Sequence, residues 1–149
     1  MSAAYRPAMR EDARRLHDIR RRSILELAPP TMSKAEAQAW ASQLTPARME
    51  QKLRELEVWL AELDGAVVGW GAIRGDMLES LYAAPDFAGQ GVGGGLLGML
   101  EGLMRDRGLP SVHLEASPNA RDFYLRRGYR AAGPRTSKGA WPMVKEYPV

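Results

Sequence analysis

The stretch Leu78-Glu79-Ser80-Leu81-Tyr82-Ala83-Ala84-Pro85-Asp86-Phe87-Ala88-Gly89-Gln90-Gly91-Val92-Gly93-Gly94-Gly95-Leu96-Leu97 decides the fold. It reads as an apolar strand, a turn marked by Pro85, a run of glycines and the opening of a long helix. Glycines, lacking Cβ atoms, let the chain turn tightly and aim several backbone N–H groups at one point, which attracts anions. The first turn of the helix adds unpaired donors and the positive end of its dipole, so the segment predicts a phosphate or diphosphate site.

Two well-known phosphate loops fit poorly. A Walker-type loop needs Lys followed by Ser or Thr after its last glycine, whereas Gly94 and Gly95 run into Leu96 and Leu97. The dinucleotide fingerprint GxGxxG is met by Gly89, Gly91 and Gly94, with Glu115 about 20 residues on, where a ribose-binding acid would stand. Its first glycine should come directly off the strand, however, and Pro85-Asp86-Phe87-Ala88 intervene. Two βαβαβ halves do not fit in the remaining chain either.

The flanking segments place the loop in a largely antiparallel sheet. Residues 58–63 and 66–73 form a hairpin about Asp64-Gly65, the pair that supplies the positive φ angles of a two-residue turn. After a second turn at Gly75-Asp76, residues 77–83 return as the next strand. A dinucleotide fold would be parallel here. From 91 to 107 a helix carries Val92, Leu96, Leu97, Leu100, Leu103 and Met104 on one stripe, and Gly108 sits where a C-terminal cap belongs. Residues 111–116 form a further strand, which the strand–helix–strand order makes parallel to its predecessor. Next comes Ser117-Pro118-Asn119-Ala120-Arg121-Asp122-Phe123-Tyr124-Leu125-Arg126-Arg127-Gly128-Tyr129, a capped short helix with Ala120, Phe123 and Tyr124 on one side and Gly128 ending it.

Together these segments resemble the Gcn5-related N-acetyltransferases, the GNAT superfamily. That superfamily's cofactor motif is Gln/Arg-x-x-Gly-x-Gly/Ala after a strand often ending Leu-Tyr-Val-x-Pro. Leu81-Tyr82-Ala83-Ala84-Pro85 and Gly91-Val92-Gly93 match it, while the leading Gln/Arg position falls on Ala88. A second motif, Asn-x-x-Ala-x-x-Phe/Leu-Tyr-x-x-x-Gly-Phe/Tyr, is matched by Ala120, Phe123, Tyr124, Gly128 and Tyr129, with Ser117 in place of Asn.

The resemblance implies an α/β (α+β) GNAT fold. This is a central mixed, mostly antiparallel sheet with a splayed parallel strand pair, flanked by helices, with residues 1–149 as a single acetyltransferase domain. It implies acetyl-CoA as co-substrate. The diphosphate would lie on Gly89, Gln90, Gly91, Val92, Gly93 and Gly94, and the pantetheine arm in the splayed gap. Backbone groups of Leu81, Tyr82 and Ala83 would hold the thioester, and Ser117 or Asn119 would add a polar contact. Tyr124 falls at the family's acid position, facing the cofactor and protonating the departing thiolate. Glu79 falls where several relatives carry a carboxylate and is the candidate base, with Glu115 in reserve.

The remaining sequence sets bounds. A chain of 149 residues with 45% hydrophobic residues suffices for one well-filled domain. It has no apolar run long enough to span a membrane, and charged residues stand where a signal peptide would be apolar. Zero cysteines exclude disulfides, thiolate catalysis and Cys-ligated metal, and make the cytoplasm the simplest home. Two widely separated histidines, His17 and His113, offer no metal-ligand spacing, and both read as structural or surface residues. The net charge of +3 suits a polyanionic cofactor.

At the N-terminus, residues 5–8 form a short strand, and Glu11-Asp12 open a helix with Leu16, Ile19, Ser23, Ile24 and Leu27 on one stripe, stopped by Pro29-Pro30. Arg10, Arg14, Arg15, Arg20, Arg21 and Arg22 read as its solvated face rather than a nucleic-acid surface, because interleaved aromatics and a recognition motif are missing. Ser33 and Glu36 form a capping box for a second helix with Trp40 and Leu44 inward, and Thr45-Pro46 opens a third through Met49, Leu53 and Leu56. In the family such helices wall the acceptor site. Residues 133–139 form a polar loop and 141–147 a last strand.

The expected activity is therefore acetyl transfer from acetyl-CoA to a primary amine of a small molecule or peptide by direct attack. No membrane or nucleic-acid partner is expected, and a homodimer is left open. The competing class is a CoA- or nucleotide-binding module without turnover, or a protein whose basic helix docks an acidic partner.

Overall fold

The computed structural model describes residues 3–27 and 32–147. Strand β1 (Ala4–Pro7) leads through one 3-10 turn, Arg10–Asp12, into α1 (Ala13–Leu27), followed by α2 (Lys34–Ala41) and α3 (Pro46–Glu55). The meander β2 (Glu57–Leu63), β3 (Ala66–Arg74) and β4 (Met77–Ala83) then leads to α4 (Val92–Asp106). The chain closes with β5 (Ser111–Ala116), α5 (Arg121–Leu125), β6 (Arg130–Ala131) and β7 (Trp141–Glu146). Glu11 and Asp12, expected within the first helix, lie in the turn before it. Pro29-Pro30, expected to end α1, and the side chain of Leu27 fall outside the described residues.

Local chemistry explains most boundaries. Ser33 Oγ accepts from Glu36 N–H (3.0 Å) and the Glu36 carboxylate accepts from Ser33 N–H (3.3 Å), completing the capping box of α2. Thr45 Oγ1 accepts from Arg48 N–H (3.1 Å) ahead of Pro46. Asp64 (φ 51°) and Gly65 (φ 81°) form the tight turn between β2 and β3. One cap is not made: Ala120 occupies the N-cap of α5 and has no side-chain acceptor, while Ser117 Oγ donates to Asn119 Oδ1.

The seven strands run in the order β1-β2-β3-β4-β5-β7-β6, and only β4 and β5 are parallel neighbours. Helices α1 to α3 cover one face, where Leu16, Ile19 and Met49 pack with Leu60, Trp70 and Ala72. There the Trp70 indole donates to the Leu16 carbonyl (2.9 Å). Helix α4 covers the other face and lies close on β3. A Cβ on Gly69 would stand 2.8 Å from Val92 Cγ1, and one on Gly71 would stand 2.6 Å from Leu100 Cδ1. Bare backbone at these two positions sets the helix-to-sheet distance. Among the described residues, no helix is long and apolar enough to cross a membrane.

Two irregularities shape the centre of the sheet. Strands β4 and β5 pair only at Met77↔His113 and Leu78↔Leu114, then diverge, so a gap opens toward their C-terminal ends. In addition, the β3–β4 register steps from Ile73↔Leu78 to Ala72↔Ser80 and leaves Glu79 as the extra residue of a β-bulge.

Candidate active site

The opening between β4 and β5 is a cavity of about 610 Å3, within the range of small-molecule sites. Leu78 to Tyr82 form one wall and Leu114 to Ser117 the other, while Ser23, Glu36 and Trp40 close it from the helical side. Beyond Leu78 the β4 backbone groups that would bond to β5 face this gap.

The glycine loop stands at the C-terminal end of the same gap. Gly89 (φ 79°) and Gly91 (φ 78°) are left-handed, and a Cβ at either would meet no protein atom within 4 Å. Space beside the backbone is thus kept open where side chains are excluded by conformation. Gly95 N–H, bonded to the Gly91 carbonyl (2.9 Å), is the first helical donor of α4 to be satisfied. The N–H groups of Val92, Gly93 and Gly94 have no backbone acceptor among the described residues and carry the positive end of the helix dipole. Gly93 touches the Phe123 ring at ordinary contact distance, 3.5 Å from its would-be Cβ. The Arg127 guanidinium stacks on that ring, 3.7 Å from its centroid, and lies 2.9 Å from a Cβ position on Gly94. A cation, held also by a bond from Arg127 Nη1 to the Phe123 carbonyl (3.0 Å), therefore stands beside the first turn of α4, at a residue to which the sequence pattern gave no role. Ala88, at the superfamily's Gln/Arg position, is exposed and brings no polar group.

Tyr124 is 7% exposed and borders the cavity, its ring edge-on to Phe123 (5.1 Å) and Tyr129 (5.5 Å). Burial, and then the neighbouring Tyr82, push its phenol well above the ordinary tyrosine value, with Arg127 opposing. Tyr124 consequently stays protonated throughout the neutral range. Tyr129 differs in being committed, donating to the Glu101 carboxylate at 2.7 Å. Glu79 lines the cavity with a quarter of its side chain exposed, and its carboxylate pairs with Arg74 at 3.1 Å. Ser117 and Asn119 both line the cavity and bond to each other, Oγ to Oδ1 at 2.6 Å. Leu81 and Tyr82 line it as well, whereas Ala83 continues β4 toward the loop.

The reserve residues separate. Glu115 reaches the cavity from β5. His17 is bonded to the Leu44 carbonyl (2.8 Å) and His113 to Ser111 Oγ (3.1 Å), and neither lines the cavity. The arginines of α1 divide too. Arg14 and Arg21 are exposed, as expected of a solvated face, but Arg20 is buried. Its register had placed it on the apolar stripe, four residues after Leu16 and four before Ile24.

A sheet splayed at one parallel pair, with a glycine-capped helix opening at the mouth of the splay, defines the class: an acyltransferase of the N-acetyltransferase type. Residues 28–145 match the acetyltransferase (GNAT) domain family. The chain resembles the crystal structure of a GCN5-related N-acetyltransferase from Rhodopseudomonas palustris, with TM-score 0.90 and 31% identity over 99% of this chain and 97% of that one. It is also similar to PaiA N-acetyltransferase of Thermoplasma acidophilum in complex with coenzyme A, with TM-score 0.83 and 20% identity over 99% and 100% of the two chains. Among curated proteins, the uncharacterized N-acetyltransferase YafP of Escherichia coli K12 is 26% identical over 122 residues, 80% of this chain and 77% of that protein. The chain belongs to the GNAT family of N-acetyltransferases.

Proposed function

We propose that residues 1–149 work as one unit that transfers an acetyl group from acetyl-CoA to a primary amine of a small molecule or peptide by direct attack. The observation that carries this reading is the alignment of two features at one end of β4: a gap in the sheet and unsatisfied helix N–H donors. The diphosphate lies on the Gly89–Gly94 backbone, with Arg127 as an added cation, and the fit rests on the unpaired N–H groups of the first turn of α4 and on the open approach to the backbone at Gly89 and Gly91. The thermodynamically activated acetyl group and a thiolate leaving group are what acetyl-CoA supplies.

The chain's own groups do the rest. Backbone donors of the Leu81-Tyr82-Ala83 segment, unpaired toward β5, stabilise the carbonyl oxygen as it takes on charge. Glu79, unmatched in the β3–β4 ladder, accepts the acceptor's ammonium proton directly or through water. Tyr124, kept neutral by its apolar surroundings, hands its proton to the departing sulfur. Ser117 and Asn119, already a hydrogen-bonded pair, orient the cofactor's arm. The PaiA likeness to a coenzyme A complex supports the same assignment of the gap.

Thiol-release kinetics over a panel of amines test the reading. Tyr124→Phe should lower kcat by roughly 10^2-fold while acetyl-CoA affinity measured by titration calorimetry is unchanged, and Glu79→Gln should lower kcat/KM and shift the acidic limb of the pH profile. Unchanged turnover of Tyr124→Phe across the pH series removes that residue as the acid. Tight acetyl-CoA binding with no turnover on any amine supports the non-catalytic module instead.

A further inference from the structure

A second recess adjoins the main cavity along β4, under the same N-terminal helices. About 450 Å3 in volume, it shares Gln43, Glu79, Ser80 and Tyr82 with the main cavity and is completed by Arg20 of α1 and by Arg48 and Lys52 of α3. Its charges are unevenly committed. The two acids are engaged: Glu79 pairs with Arg74 (3.1 Å) and Glu55 accepts from Gln51 Nε2 (2.8 Å). The three cations are not. Among the described residues, no carboxylate oxygen lies within 4.0 Å of the charged nitrogens of Arg20, Arg48 or Lys52.

Arg20 is the telling member, because it is only 8% exposed. A guanidinium has five N–H donors. Two nitrogens of Arg20 donate to the carbonyls of Ala41 (3.0 Å) and Trp40 (3.4 Å) at the end of α2, and the group lies 5.8 Å from the Tyr82 ring. These contacts fix its position without neutralising it. A buried charge left without a counter-charge is costly, and an anion from outside removes that cost. Lys52 faces the same space. Burial lowers its pKa, with Glu79 and Glu55 attracting its proton and Arg20 and Arg48 repelling it.

We infer that this recess receives an acceptor amine that also carries a carboxylate, the carboxylate docking on Arg20, Lys52 and Arg48 while the amine reaches Glu79. The inference rests on the acetyl-transfer reading above and names the substrate class of that site. Three uncommitted cations disfavour a polycationic acceptor such as a polyamine, which would be repelled on entry.

The test uses matched acceptors: free amino acids, their carboxamides and a linear polyamine, with CoA release as the readout. Wild-type kcat/KM for an amino acid should exceed that for its carboxamide by at least on the order of tenfold, the worth of one hydrogen-bonded charge contact. In Lys52→Met and Arg48→Met that ratio should fall toward one through KM, and Lys52→Arg should restore it. Neither residue belongs to the buried core, and circular dichroism checks that each variant folds. Equal or greater activity on carboxamide or polyamine overturns the inference while leaving acetyl transfer standing, as does a ratio unmoved by Lys52→Met. A binding arm separates the two readings: N-acetyl amino acids and their carboxamides are titrated in the presence of CoA. Carboxylate-selective binding weakened by Lys52→Met, without turnover on any amine, keeps the anion recess and removes acetyl transfer. Neither turnover nor carboxylate-selective binding overturns the inference.

Discussion

Gly91→Ala separates the glycine loop's two duties, conformation and clearance. At φ 78° an alanine is strained, at a cost of about 1–2 kcal/mol. No protein atom lies within 4 Å of the added Cβ, so strain is the whole of its effect on the free protein. For a chain of this length that loss lowers Tm by roughly 2–8 °C. Gly65 in the β2–β3 turn provides a matched control, because it has φ 81° and likewise nothing within 4 Å. Gly65→Ala should therefore lower Tm by a similar amount. The two should part company in affinity. On the proposed reading, a methyl group at position 91 occupies the space in which the diphosphate approaches the N–H groups of Val92, Gly93 and Gly94. Each charge-assisted bond lost there is worth about 1.5–3 kcal/mol, so two lost bonds weaken acetyl-CoA binding by at least on the order of 100-fold. Paired melts and titration calorimetry on the wild type and both variants measure this directly. Equal melting losses with acetyl-CoA affinity retained in Gly91→Ala would refute the loop as the diphosphate site.

Further predictions concern stability. Gly71→Ala forces a Cβ to 2.6 Å from Leu100 Cδ1 and 3.2 Å from the Ser80 carbonyl, which should cost about 1–3 kcal/mol in urea unfolding. Gly98→Ala, an exposed position in the interior of α4 with nothing within 4 Å, should instead raise stability by about 0.5–1 kcal/mol. A Gly71→Ala variant as stable as the wild type would refute the packing distance assigned to α4 on β3. Asp12 accepts two bonds from Arg6 (2.9 Å each) and one from Met9 N–H (2.7 Å), and the Arg6 bonds foremost hold its carboxyl below the ordinary value of 3.8. A lowered folded-state pKa adds stability at pH values above that ordinary value and loses it as pH falls through the folded-state pKa. Asp12→Asn should thus cost about 1–2 kcal/mol at pH 7, with the difference from wild type closing in strong acid. A difference that persists unchanged at pH 2 would reject the ion pair as its cause.

The parts legible in the sequence are those decided by a few adjacent residues. Asp64-Gly65, Ser33 with Glu36, Thr45-Pro46 and Gly108 each meet a local backbone need, and the observed turn and caps follow from them. The same holds for the glycine loop, whose positive φ values at Gly89 and Gly91 are what its composition predicts. What escaped depends on partners distant in sequence. The short helix was expected to be capped, but its N-cap falls on Ala120, which has no side-chain acceptor. Strand β6 is two residues long, too short to carry a period. Arg20 sits on the apolar stripe of α1 by spacing, yet its charge led to a solvated reading. Only the carbonyl ends of α2 and the Tyr82 ring, both supplied by tertiary packing, make its burial tolerable.

The bulge at Glu79 was not legible in residues 78–81 alone, because both faces of β4 are covered and an unbroken strand could send one leucine to each. In an unbroken strand, residues three apart point to opposite faces. Leu78 and Leu81 are three apart, and both pack toward α4 in the cluster containing Leu97 and Leu100. Tyr82 meanwhile packs on Trp70 beneath α1, with ring centroids 5.3 Å apart. One extra residue must therefore be absorbed between Leu78 and Leu81, and the β3 register places it at Glu79. The residue expelled from the ladder borders both the main cavity and the cationic recess. On the proposed mechanism this is where a base must stand, at the boundary between the cavity that holds the acyl group and the recess from which the amine arrives.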